Sequence, residues 1–345
     1  MALCGARERD PAEIASKYGK GRELPIFTDL ARMLDEVEID GVVVCTPNDV
    51  HHPATMAALE RGIHVTCEKP IALNADQARD MAASASAKGL IGMSNFPYRG
   101  NPAAIELRRQ IAAGFVGDIL HVSGQYHGGF GLLRPPGWRG SRARSGAGIL
   151  GDLGSHLIDL ARFATQDEFA AVTSSSLTVL KQDNGRLFRV RSEDPRAGDR
   201  NDDSCAFLSE FVSGAQGIFH TSWVAYQGSY TQHQELEVYG SEGRLQFLST
   251  HTGTHLKGIK VGEKRWEYFP INSVTLYSEQ GEEQEDFFRP GRHNATNTTY
   301  RWIDAIRDGK TTISPDLTDG LRAQLVIDAV IKAGKERRWV DVAPT

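Results

Sequence analysis

The run Ile39-Asp-Gly-Val-Val-Val-Cys45 constrains the fold more than any other stretch of the chain. From Val42 to Cys45 an extended backbone has no polar face, so neither side can be left to water. Strands of that kind sit in parallel sheets covered by helices on both faces. The neighbouring segments agree. Thr28 and Asp29 offer caps for a helix over 30–37 that carries Leu30, Met33, Leu34 and Val37 on one face. A helix is predicted over 53–61, ended by Gly62. His64-Val-Thr-Cys67 reads as the next strand, 74–88 as an Ala-rich helix closed by Gly89, and Leu90–Met93 as a further strand. Upstream, 2–5 is a short apolar run, Asp10-Pro11 opens a helix-like stretch over 12–18, and Ile26-Phe27 is a brief extended piece. Residues 2–95 therefore alternate strand and helix with short loops, the pattern of an open parallel α/β sheet.

The period changes after about residue 118. A strand over 118–126 leads into a Gly/Arg/Pro-rich loop at 128–149, then a helix over 152–164. Short strands follow at 172–180, 204–211, 215–222, 234–239 and 244–247, and helices at 298–307 and 319–332 close the chain. The polar stretch 192–203 is expected to be a surface loop. The second half is thus α+β with a large, mostly antiparallel open sheet.

Composition excludes several classes. In 345 residues, 39 basic against 44 acidic side chains leave a charge of −5, without the basic excess of a nucleic-acid binder. No apolar run approaches the ~20 residues of a membrane span. The first residues carry no long apolar region of the secretory kind, so the cytoplasm is the expected compartment. Cys4, Cys45, Cys67 and Cys205 are too scattered for a disulfide framework or a zinc knuckle.

Open parallel sheets bind ligands at the carboxyl ends of their strands. Two such ends are rich in functional groups here: Thr46-Pro47-Asn48 with His51, and Glu68-Lys69-Pro70. A lysine on that rim can hold a ribose or phosphate and orient a substrate hydroxyl; Glu-Lys-Pro also serves as a plain charged turn, and Pro-Asn-Asp as turn chemistry. A second constellation is Gly151-Asp152-Leu-Gly-Ser-His156 with Asp159. Asp152 and His156 stand four apart at a helix start, so on an α-helix they share a face. Such a pair can act as base and orienter on a hydroxyl proton. The same spacing suits two metal ligands, but no third ligand stands near, and no metal is expected. The structural alternative is Asp152 as a helix cap and His156 as a satisfied core histidine.

Together these segments resemble the Gfo/Idh/MocA family of nicotinamide-dependent oxidoreductases, which includes glucose–fructose oxidoreductase and inositol dehydrogenase. The resemblance runs through residues 39–48 with His51, Ala57-Ala-Leu-Glu-Arg-Gly-Ile-His-Val-Thr-Cys-Glu-Lys-Pro70, Tyr98-Arg99, Gly151–His156, Leu236-Glu-Val-Tyr-Gly-Ser-Glu-Gly243 and Asp319-Gly-Leu-Arg-Ala-Gln324. It implies a Rossmann-type domain over 1–98 and a substrate-binding and oligomerisation domain over 99–345, with the last helices packing back on the first. It implies NAD or NADP as cofactor, and a secondary hydroxyl of a sugar, cyclitol or polyol as substrate. Lys69 would touch the nicotinamide ribose and the substrate, and His156 would be the base, supported by Asp152. Thr46, Pro47, Asn48 and His51 would line the pyrophosphate and ribose, with Glu68 and Asn95 near the nicotinamide. Tyr98, Arg99, His127 and Trp138 would line the substrate pocket. Arg139, Arg142 and Arg144 would meet an anionic substrate or a neighbouring subunit, or form a solvated basic loop. A homodimer or homotetramer through the open sheet is implied. Two other activities belong to the same resemblance: NAD-assisted glycoside cleavage without net redox change, and a non-catalytic sugar-binding or assembly role.

The family's first strand and G-x-G-x-x-G turn have no counterpart in residues 1–60. Residues 2–5 match its second strand, which places Ala6 and Arg7 where that strand meets the adenosine ribose. An arginine there suits a 2′-phosphate. The resemblance thus leaves two expectations: a chain truncated at its start, or a natural short form that binds cofactor poorly or not at all.

Overall fold

A computed structural model describes residues 1–5, 13, 24–133, 137–181, 187–191, 194–226, 233–250, 253–271 and 298–345. The helix expected over 12–18 and the cofactor residues Ala6 and Arg7 lie outside the described residues, Glu13 apart.

Strands β1 (Leu3–Cys4) and β2 (Ile26–Phe27) pair in parallel as a small sheet of their own. β3 (Gly41–Val44), β4 (His64–Glu68) and β5 (Gly92–Asn95) form a parallel sheet in that order. The helix Asn48–Glu60 links β3 to β4, and Ala75–Ala87 links β4 to β5. Local chemistry sets the helix starts: Asp29 accepts the Arg32 N–H at 3.1 Å, and Asn74 accepts the Gln77 N–H at 3.0 Å. Val42, Val44, Val65 and Cys67 of the sheet bury against Ala58, Leu59, Ala78 and Met81 of these helices.

One boundary differs from expectation. The Asn48–Glu60 helix begins five residues before Pro53, which lies inside it. Proline there loses a backbone hydrogen bond. Asn48 and His51, both buried, each make tertiary hydrogen bonds that hold the extra turn.

Among the described residues, a ten-stranded sheet makes up the second unit. Its strands are β6 (Ile119–His127), β7 (Phe169–Lys181), β8 (Leu187–Arg191), β9 (Ser204–Phe211), β10 (Gln216–Ser222), β11 (His233–Gly240), β12 (Gly243–Thr250), β13 (Gly253–Lys260), β14 (Glu267–Tyr268) and β15 (Val340–Asp341). The order is β14-β13-β12-β11-β6-β10-β9-β7-β15, with β8 on β7. Among the described residues of this sheet, β6 and β10 run parallel and the other pairs antiparallel. One face carries the helices Pro102–Ala112, Ser155–Thr165 and Leu317–Glu336. Gly124 of β6 lets them come close: a Cβ there would lie 2.8 Å from the Phe219 ring and 3.0 Å from Leu157. On the other face, open among the described residues, Leu208 and Ile218 are exposed.

The helix Leu317–Glu336 joins the two units. Asp316 and Asp319 cap it reciprocally, each side chain accepting the other's backbone N–H. Leu317, Leu321 and Leu325 enter the core of the first sheet, whereas Ala323, Val326, Ile327 and Val330 enter that of the second.

Two further expectations are corrected. The α-helix expected over 152–164 is a π-helical turn, Leu150–Gly154, followed by the α-helix Ser155–Thr165. Such π turns are rare and cluster at functional sites. Nor is 194–203 a plain surface loop: Asn201 and Asp203 are buried, and Asn201 donates to Ser141 O at 3.0 Å and Ser145 Oγ at 2.7 Å. The polar side chains that suggest solvent serve to clamp the 137–149 segment. Gly148 (φ +52°) belongs to the same clamp, because a Cβ there would meet Asn201 at 2.6 Å.

Candidate active site

The carboxyl ends of β3 and β4 face the π turn across a cleft of about 320 Å³. Its wall includes Thr46, Glu68, Lys69, Trp138, Arg139 and Asp152. Lys69 leaves the end of β4 and crosses to the π turn. Its Nζ donates to Asp152 Oδ1 at 2.9 Å and to the Asp152 carbonyl at 2.5 Å. Arg139 Nε donates to the same Oδ1 at 3.2 Å, and Trp223 Nε1 to Oδ2 at 3.3 Å. Burial alone would raise the Asp152 pKa; the cations Lys69 and Arg139 outweigh it and hold the carboxyl at about 2. Asp152 is therefore an anion at neutral pH and holds Lys69 in place.

His156 lies one turn along. Its ring is surrounded by Phe96, Tyr98 and Tyr126, at centroid distances of 6.3, 5.1 and 6.1 Å. Burial first, then Lys69, push its pKa well below the usual 6.5, against the pull of Asp152. The ring is therefore neutral at pH 7. Its Nδ1 is buried without a hydrogen-bond partner among the described residues. Asp152 acts on His156 through its charge, as the shared helix face leads one to expect, while the hydrogen bonds of its carboxylate go to Lys69, Arg139 and Trp223.

On the rim of β3, the Thr46 hydroxyl is buried and unpartnered among the described residues. Pro47 precedes the helix, and Asn48 donates to the Ser145 carbonyl at 3.0 Å. His51 is a strut: its Nδ1 lies 2.8 Å from Pro70 O and its Nε2 2.9 Å from Thr46 O, tying the two strand ends together. Glu68 Oε1 accepts from Asn95 Nδ2 at 2.5 Å, and Asn95 Oδ1 from Thr298 Oγ1 at 2.6 Å. Cleft and rim thus bring together Thr46, Pro47, Asn48, His51, Glu68, Lys69, Asn95, Trp138 and Asp152, with His156 behind them.

Two expected pocket residues are elsewhere. Arg99 is buried on Asp159, Asp319 and Ser314, because two carboxylates compete for its fork. His127 faces the open side of the large sheet, its Nε2 2.8 Å from His220 Nδ1 and its ring stacked 6.5 Å from His233. One residue along β6, the alternation turns the opposite way, and Tyr126 rather than His127 points in at His156. Tyr98 stands beside it, its hydroxyl 2.9 Å from that of Tyr126. Tyr126 and Trp223 are site residues that the sequence motifs do not single out. Inward alternation with Val122 and Gly124 marks Tyr126; nothing local marks Trp223. Arg142 and Arg144 are held by the loop and helix beside them, Arg142 on Arg200 O and Arg144 on Asp49.

The model of an oxidoreductase family with an NAD-binding Rossmann fold matches residues 2–96, and that of the GFO/IDH/MocA C-terminal domain matches 104–246. The chain belongs to the GFO/IDH/MocA family. It is an oxidoreductase whose first domain is of the NAD-binding Rossmann type. It is 27% identical to levoglucosan dehydrogenase of Pseudarthrobacter phenanthrenivorans, over 96% of this chain and 86% of that one. It is 26% identical to inositol 2-dehydrogenase of Rhizobium meliloti, over 90% and 84%. Among solved structures, levoglucosan dehydrogenase in complex with NADH and levoglucosan superposes with a TM-score of 0.80 at 25% identity, covering 100% of this chain and 91% of that one. The residues at the rim fit a dinucleotide. The Thr46 hydroxyl is buried without a partner among the described residues, and the cleft runs along the strand ends where such cofactors lie. Among the described residues there is no group of three or more side chains able to hold a metal, and no helix long and apolar enough to cross a membrane.

Proposed function

We propose that this chain oxidises a secondary hydroxyl of a sugar, cyclitol or related polyol with NAD, and reduces the matching ketone in reverse. The observation that carries the proposal is the Lys69–Asp152 pair across the cleft beside a neutral, buried His156. When bound, the nicotinamide ring supplies the hydride acceptor. Lys69, fixed by Asp152, directs its remaining N–H toward the substrate oxygen and stabilises charge that develops there. His156 takes the hydroxyl proton at Nε2, since Nδ1 is sealed in the protein. Thr46, Pro47, Asn48 and His51 shape the phosphate and ribose side, and Glu68 and Asn95 the nicotinamide side. Tyr98 and Trp138 contribute to the substrate wall, together with Tyr126. The substrate class is supported by the relatives, which are named for levoglucosan and inositol. Residues 1–98 form the nucleotide-binding domain and 99–345 the substrate domain. A second copy of the chain covers the open sheet face around Leu208 and Ile218.

The test is a panel of sugars and cyclitols with NAD, followed by absorbance of NADH and by product analysis. Net NADH in step with ketone formation is expected. Glycoside cleavage without net NADH would replace this reading with the redox-neutral one; sugar binding with neither product would leave a binding protein.

A further inference from the structure

We propose that Trp223 is a positioning residue that decides which of two cations keeps Asp152. The proposal rests on the site assigned above. Lys69 Nζ and Arg139 Nε both donate to Asp152 Oδ1, and they are not equivalent competitors. Arg139 is partly exposed, stacks over the Trp138 ring at 4.4 Å and carries a fork. A freely rotating carboxylate would turn both oxygens to that fork, the stronger two-point arrangement, and leave Lys69 with the Asp152 backbone carbonyl alone. The indole N–H of Trp223 occupies Oδ2 at 3.3 Å and blocks the rotation. Only one carboxylate oxygen is left for the cations, and Lys69 takes it at the shorter distance while a second N–H stays on the Asp152 carbonyl.

The surroundings of Trp223 give it the rigidity this needs. It follows β10 directly and is fully buried. Its backbone N–H donates to Asp203 O at 2.9 Å, its carbonyl accepts from Gly131 N–H at 3.0 Å, and its ring leans on Phe130 at 5.7 Å. A Cβ on Gly131 would come within 2.9 Å of the Trp223 Cβ. The indole is thus gripped on its backbone side, with its single donor aimed at Asp152.

The experiment measures reductive methylation of Lys69, read by peptide mass spectrometry on the full chain without substrate. It compares wild type with Trp223→Phe, Asp152→Asn and the double variant. Trp223→Phe should speed methylation of Lys69 roughly tenfold, the lower end of what one hydrogen bond to a charged group is worth, and leave Lys257 and Lys310 unchanged. In the Asp152→Asn background the same change should add less than about twofold, because its effect passes through Asp152. An unchanged Lys69 rate in Trp223→Phe overturns the proposal, and so does an equal increase in both backgrounds. A second measurement does not depend on the folding of Trp223→Phe. Asp152→Asn should move the Trp223 indole ¹H–¹⁵N resonance, and an unmoved resonance also overturns the proposal. Neither readout uses turnover, so a failed dehydrogenase assay would refute the proposed function without touching this result.

Discussion

Arg99 and Lys69 both follow strands of the three-stranded parallel sheet and reach acidic side chains on the 152–159 segment, yet they end in opposite situations. Arg99 is saturated. Its fork grips Asp159 at 2.6 to 3.1 Å, and its remaining nitrogen reaches Asp319 at 2.8 Å and Ser314 Oγ at 3.0 Å. Arg162 closes the cluster on Glu168 at 2.6 Å, with Asp159 and Asp319 at 3.6 and 3.7 Å. Lys69 instead shares one carboxylate oxygen with a second cation, beside a Thr46 hydroxyl and a His156 Nδ1 that have no partner among the described residues. A buried charge cluster that satisfies itself is architecture. One that leaves donors and acceptors over, at the wall of a cleft, has capacity for a ligand.

Four measurements break or sharpen this contrast. Arg99→Ala leaves Asp159 buried with one fewer partner and should cost about 3–5 kcal/mol of stability, measured by denaturant unfolding. A loss near zero would remove Arg99 from the structural side. Lys69→Ala should lower turnover by about 100- to 1000-fold, as loss of a positioned cation does. Asp152 keeps Arg139 and Trp223 in that variant, so the loss of stability should fall below the about 3–5 kcal/mol expected when a buried carboxylate loses its partner. A large loss of stability with little loss of turnover would make the two clusters alike. His156→Ala should abolish turnover on whichever sugar the panel identifies while sugar binding, followed by calorimetry, is largely kept. Retained turnover would reject His156 as the base.

The smallest effect concerns pH. Burial, then the neighbouring His220 and His233, lower the His127 pKa from 6.5 to about 4. The folded chain therefore binds that proton less readily than the unfolded one. The stability linked to it is complete above pH 6.5 and is lost as pH falls from 6.5 through 4. Asp152, held at about 2, keeps its charge throughout that window, so the cleft pair should stay intact. His127→Asn should flatten part of the fall in melting temperature between pH 7 and 4.5. An unchanged slope would assign the acid loss to other groups.

Periodicity makes the two halves legible in the sequence, since strand and helix repeats are written in neighbouring residues. Lys69 at a strand end and His156 on an amphipathic helix are legible for the same reason. The π turn is not, because Gly151 and Gly154 are compatible with several backbone paths and packing chooses among them. The family resemblance alone puts Arg99 and His127 in the pocket. Their actual partners, Asp159, Asp319, His220 and His233, lie 60 to 220 residues away.

By itself the sequence determined a parallel α/β unit followed by an antiparallel one, and the residue types available at the strand ends, because local pattern and short-range turn chemistry suffice for both. Only the tertiary structure decided that Asp152 binds Lys69, 83 residues away, rather than His156, four residues along. Hydrogen bonds go to whichever donor the packing brings within about 3 Å, and spacing along the chain does not measure that distance.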